Sequence, residues 1–181
     1  MPRGPAICLL ALSLATPAFA QTLRDDASGI SITAPPGYTA TPSPPGGTPR
    51  PVFDLRTPRD TDTGCRIAVE GASATASLTQ AEINARNASP EHTATVAATY
   101  GTVYDIRVVE PVTHQGITGI AMIGDLKPRP AMPPRAQDVR SLLVILETPR
   151  LRVSLGCVGE KADFASRLAG FEAVLKGLAI P

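Results

Sequence analysis

Leu151-Arg-Val-Ser-Leu-Gly-Cys-Val158 and, five residues later, Phe164-Ala-Ser-Arg-Leu-Ala-Gly-Phe-Glu-Ala-Val-Leu-Lys-Gly177 differ in period, and that difference decides the fold. In the first stretch Leu151, Val153, Leu155 and Cys157 fall on one face, the two-residue repeat of a half-buried strand. In the second, Phe164, Leu168, Phe171, Leu175 and Leu178 recur at spacings of four, three, four and three, a single apolar stripe of an amphipathic helix that ends near Gly177. A strand feeding a one-striped helix predicts a sheet with that helix laid across one face.

Outward from this core, Val139 to Thr148 reads as the preceding strand, joined through Pro149-Arg150 as a hairpin. Val103 to Val112 alternates with Tyr104, Ile106 and Val108 against Asp105 and Arg107, and His114-Gln115-Gly116 turns it into Ile117 to Leu126. Arg66 to Gly71 is a further strand with Ile67 and Val69 on one face. Thr79-Gln-Ala-Glu82 fits a capping box, so a short helix runs to about Ala88 and stops before Pro90. Thr93 to Thr102 fits a loop and a weak helix equally. Earlier, Ile30 to Thr33 and Val52 to Leu55 are short strand-like pieces, separated by Pro35-Pro-Gly37 and the proline-rich loop Pro42 to Pro49. The expected fold class is α+β, a mainly antiparallel sheet of about seven strands covered by a short middle helix and a longer C-terminal helix.

The start of the chain has a different character. Met1 to Gly4 carries one cation, Ala6 to Ala15 is almost wholly apolar, and Ala18-Phe19-Ala20 places small residues where a signal peptidase reads. Residues 1–20 are therefore expected to be a removable leader cleaved between Ala20 and Gln21, making the protein periplasmic or secreted. Residues 21–28 read as a loosely held arm and residues 29–181 as one domain. No later run approaches the length of a membrane span, so no transmembrane segment is expected after processing.

Of 181 residues, 17 are Lys or Arg and 16 are Asp or Glu, and Arg3 leaves with the leader, so the remainder is electrically balanced. Phosphate neutralisation needs a basic excess, which argues against a nucleic-acid partner. Aromatic residues make up only 4% of the chain and Trp is absent, which disfavours stacking platforms for bases or sugars. Loss of the leader also removes Cys8 and leaves Cys65 and Cys157 in an oxidising compartment. Cys65 alternates in phase with Ile67 and Val69, and Cys157 with Val153 and Leu155, so both sulfurs point to the core and a disulfide is expected. No Cys-x-x-Cys and no recognisable ligand spacing around His92 or His114 indicates a metal or a cofactor.

Several constellations invite chemistry. His114 with Asp105 or Asp125 and Ser141 makes a Ser-His-Asp set on paper, but no nucleophile elbow is present and a turn histidine is ordinarily solvated. The pairs Asp25/Asp26 and Asp60/Asp62 are expected to be surface carboxylates. Asp60-Thr-Asp-Thr-Gly64 is expected to be a turn rather than a cation loop, for it lacks further acidic ligands. The loop Lys127 to Arg135 holds three cations and no anion among prolines. Lys127, Arg129 and Arg135 are therefore the candidate interaction residues.

Three pieces taken together, Ile32-Thr-Ala-Pro-Pro-Gly-Tyr38, the Leu151 to Val158 strand with its cysteine, and the Phe164 to Leu178 helix, resemble the Mog1/PsbP-like fold in a bacterial exported form. The resemblance covers most of the chain in order. It implies a binding, assembly or accessory role without a shared catalytic site, and it transfers no functional residue. The expected function is a non-catalytic envelope module that binds a protein or a small ligand. The alternatives are a small hydrolase with a site between sheet and helix, and a carrier of an apolar ligand held in a cavity beneath the terminal helix.

Overall fold

The computed structural model describes residues 21–72 and 74–181. The expected leader and its cleavage point after Ala20 lie outside the described residues. In chain order the elements are β1 (Thr22–Arg24), β2 (Ser31–Thr33), β3 (Thr39–Pro42), β4 (Arg50–Arg56), β5 (Gly64–Gly71), α1 (Gln80–Asn87), α2 (Pro90–Tyr100), β6 (Tyr104–His114), β7 (Ile117–Leu126), β8 (Val139–Glu147), β9 (Leu151–Glu160), α3 (Phe164–Gly177) and β10 (Leu178–Ala179). A 3-10 turn at Pro134–Gln137 interrupts the loop before β8.

The fold is α+β. Seven strands form one antiparallel sheet in the order β3-β4-β5-β9-β8-β7-β6, and β1-β2-β10 form a small second sheet. Most neighbours are hairpin partners, but the β5–β9 pair joins strands on either side of α1, α2 and the strands β6, β7 and β8. That seam runs from Gly64 opposite Val158 to Gly71 opposite Leu151 and places Cys65 directly across from Cys157. The two form a disulfide with sulfurs in the core, as the strand phases require.

Alternation along the strands produces two apolar faces. On one, Ile67, Val144, Leu155 and Cys157 pack with Ile32 of the small sheet and with Phe164, Phe171 and Val174 of α3. Phe164 and Phe171 meet at 5.6 Å between ring centroids, tilted to one another. On the other face, α1 lies against β7 and α2 against β6.

Helix α1 begins as its sequence dictates. Thr79 accepts from the Glu82 amide while the Glu82 carboxylate accepts from the Thr79 amide. The Thr/Ala-rich segment that fits loop and helix equally is helix α2, with Ser89 as N-cap and Pro90 in the first turn. Pro90 thus ends one helix and opens the next.

Two expectations need correction. The arm at residues 21–28 is held: Thr22, Leu23 and Arg24 pair with Thr33, Ile32 and Ser31, and Asp25 takes a bidentate contact from Arg50 of β4. A three-residue strand is too short to show a period, which is why composition alone reads it as loose. On β6, simple alternation is broken: Ile106 pairs with Gly124 and Val108 with its neighbour Ile123, so Arg107 is an extra residue in a bulge. Ile106 therefore shares a face with Val109 and Pro111, and Val108 turns to the opposite face with Glu110 and Val112.

Candidate functional site

That bulge builds the floor of a cleft. With Val108, Glu110 and Val112 turned toward α3, the register makes two rows across the sheet, Val108–Ile123–Leu142 and Glu110–Ala121–Val144. Leu168, Phe171, Glu172 and Leu175, spaced three, one and three apart, form the helical wall. Between floor and wall lies a cleft of about 220 Å³. The hollow lies where the middle of the second row is Ala121, whose side chain is one carbon long. Gly119, the next residue of β7 on that face, opens no space, since a Cβ there would stand 2.0 Å from the Ile145 carbonyl oxygen.

The lining is apolar except for Glu110 and Glu172, both exposed at the rim. Among the described residues neither carboxylate has an ion-pair partner within 4.0 Å, and no Lys or Arg lines the cleft. One end of the cleft is tied: the Leu178 carbonyl sits 2.8 Å from His114 Nε2 and accepts from Gln115 Nε2 at 3.0 Å.

His114 is thus buried, contrary to the expectation of a solvated turn residue, and its ring is used to hold the end of α3. It does not meet an acid or a hydroxyl. Asp105 lies nine residues away along the same strand, about 30 Å at the rise of an extended chain, and Asp125 pairs with Asp105 at that far end. Ser141 lies there too, opposite Gly124. The Ser-His-Asp set is not assembled.

Asp125 is instead a charge hub. It accepts from Arg107 and Arg140 and has the Lys161 ammonium at 3.8 Å. Arg140 above all, opposed by burial and assisted by Arg107, holds its carboxyl down at about 2. Asp60 is a second hub, with its side chain only 1% exposed. It accepts from the Thr57 amide and hydroxyl, the Thr63 hydroxyl and Arg167 Nη2, with Arg167 Nη1 in ion-pair contact at 2.7 Å. Burial pushes against ionisation there, and Arg167 with the hydroxyls overcomes it and brings the carboxyl to about 2. Asp60 is thus buried and its oxygens are taken by protein donors, a correction to the expectation of a surface carboxylate; among the described residues no group of three or more His, Cys, Asp or Glu is placed to hold a metal ion.

Both hubs have depressed pKa values, so their contribution is complete above the unfolded carboxyl value near 4 and is lost as pH falls toward 2. Each shift is worth on the order of 2 kcal/mol. Urea unfolding from pH 6 to pH 2.5 should show a steep acid limb that is shallower in Asp125→Asn, and identical limbs would remove Asp125 from this account.

The three cations of the proline-rich loop are all engaged within the chain. Arg135 bridges Asp62 and Glu160. Lys127 donates to the Gly101 carbonyl and Arg129 to that of Thr102. Lys127 and Arg129 thus lie beside one another over the end of α2, while Arg135 is held at Asp62 and Glu160. Asn87, at the head of a glycosylation-like Asn-Ala-Ser, is buried and donates to the Thr118 carbonyl.

Among the described residues no helix is long and apolar enough to cross a membrane. No family model matches the chain, and no curated protein matches it in sequence. Among solved structures, the cyanobacterial PsbP (CyanoP) of Synechocystis sp. PCC 6803 superposes with a TM-score of 0.57 at 12% identity, over 96% of this chain and 99% of that one. LpqN of Mycobacterium tuberculosis, described as involved in cell envelope biogenesis, superposes at 0.51 and 9% identity over 92% of this chain and 87% of its own. At such identities the likeness is one of fold, and the fold of this chain is PsbP-like.

Proposed function

We propose that the protein is an exported, non-catalytic accessory module of the cell envelope that binds an apolar ligand in the cleft between α3 and strands β6, β7 and β8. The cleft carries this reading: concave, mostly apolar and bounded by a few polar groups is the usual form of a small-molecule site. The sequence of residues 1–20 supports export, and the fold shared with LpqN, a protein involved in cell envelope biogenesis, is in keeping with an envelope role. Binding here would release the void in the floor by filling it, without demanding any chemistry of the nearby side chains.

The neutral fluorophore N-phenyl-1-naphthylamine tests this. Wild type is expected to take it up with a blue-shifted, enhanced emission, and Ala121→Phe, which fills the hollow, to lose about tenfold or more in affinity while keeping wild-type circular dichroism and melting. Equal uptake by both proteins, or none by either, would overturn the proposal.

A further inference from the structure

We infer that the ligand of this cleft is a small amphiphile with an alkyl body and a cationic, ammonium-type head, bound with the head between Glu110 and Glu172. The inference rests on the proposed ligand-binding reading and adds the charge of the occupant. Glu110 belongs to the sheet side of the cleft and Glu172 to the helix side, and both line it while remaining exposed to water. Ten of the sixteen acidic residues sit within 4.0 Å of a cation, among them Asp25 with Arg50, Asp60 with Arg167, Asp125 with Arg107 and Arg140, and Glu147 with Arg86; of the other six, Glu110 and Glu172 are the two that line the cleft. Lys176 is one helical turn from Glu172 but makes no ion pair with it within 4.0 Å among the described residues.

The chemistry follows from where each group sits. An alkyl chain over Ile123, Leu142 and Phe171 leaves water for a surface that has no hydrogen bonds to offer it. An anionic head would meet two like charges at the exit, and a neutral head would gain nothing from them. An ammonium head gains from both. Because the rim is wet, the preference is moderate and salt-sensitive, about tenfold between cationic and anionic heads of equal chain length.

The experiment is displacement of N-phenyl-1-naphthylamine by decyltrimethylammonium and by decyl sulfate, both below their micellar concentrations, from wild type, Ala121→Phe and the double variant Glu110→Gln/Glu172→Gln. Decyltrimethylammonium should displace the probe from wild type at about one-tenth the concentration of decyl sulfate, and 0.5 M NaCl should shrink that gap. In the double variant the gap, read against that variant's own probe affinity, should fall below about twofold. Equal displacement by the two detergents from wild type, with Ala121→Phe still blocking the probe, overturns the cationic ligand and leaves the apolar site standing. Failure of the probe to bind wild type overturns both. Sedimentation run alongside gives the remaining outcome, in which a concentration-dependent dimer expels the probe, assigns the cleft to a second copy of the chain and overturns the amphiphile.

Discussion

Replacing Cys65 and Cys157 together by alanine should lower the unfolding free energy by about 4 kcal/mol, measured by urea titration of the oxidised protein and the variant under the same conditions. The bond spans 92 residues, and closing a loop of that length removes roughly 4 to 5 kcal/mol of chain entropy from the unfolded state. Its location adds a structural reason. The β5–β9 seam is where the early strands β3, β4 and β5 meet the later meander, and every other strand pair in the large sheet is local by comparison. Without the crosslink the unfolded chain must find that seam across both α1 and α2. A loss below about 1 kcal/mol would mean that the bond is strained in the native state or that the reduced unfolded chain already holds the two strands near each other.

The second large effect is expected at Asp60. Asp60→Asn leaves the Arg167 guanidinium, itself only 16% exposed, without its counter-charge. Breaking a buried pair from one side costs about 3 to 5 kcal/mol, whereas removing both charges together can be close to neutral. The double variant Asp60→Asn/Arg167→Met should therefore be more stable than the single one. Arg167 also lies over the Phe171 ring at 5.0 Å, so methionine preserves apolar cover there. A double variant no better than Asp60→Asn would assign the loss to the Thr57 and Thr63 hydrogen bonds, and the ion pair would then count for little.

What the sequence made legible was periodic. The face of Cys157 among Val153 and Leu155, the stripe of α3 and the Thr79–Glu82 cap are each written within a few neighbouring residues, and each appears in the structure. The unread parts depend on pairing between segments. One inserted residue, Arg107, reverses the phase of the rest of β6, and nothing local marks it. The cleft needs three strands in register before Ala121 can be seen as a low point between Glu110 and Val144. Ala121, a small residue between Ile120 and Met122 in β7, was the available hint. The partners of the cationic loop were equally unreadable, because a run of like charges in sequence says nothing about the carboxylates of Asp62 and Glu160 that fold beside Arg135.

The tie at Leu178 bears on how the cleft can open. His114 and Gln115 grip that carbonyl from the tip of the β6–β7 hairpin, and the Ile180 amide donates back to Gln115 Oε1 at 3.2 Å. The helical wall and the strand floor are thus stitched together just beyond Leu175 and Val112, like pages at a spine. The other end of the wall is held as well, because Arg167, next to Leu168, is paired with the buried Asp60, so the cleft is braced at both ends and an occupant must fit the hollow much as it stands.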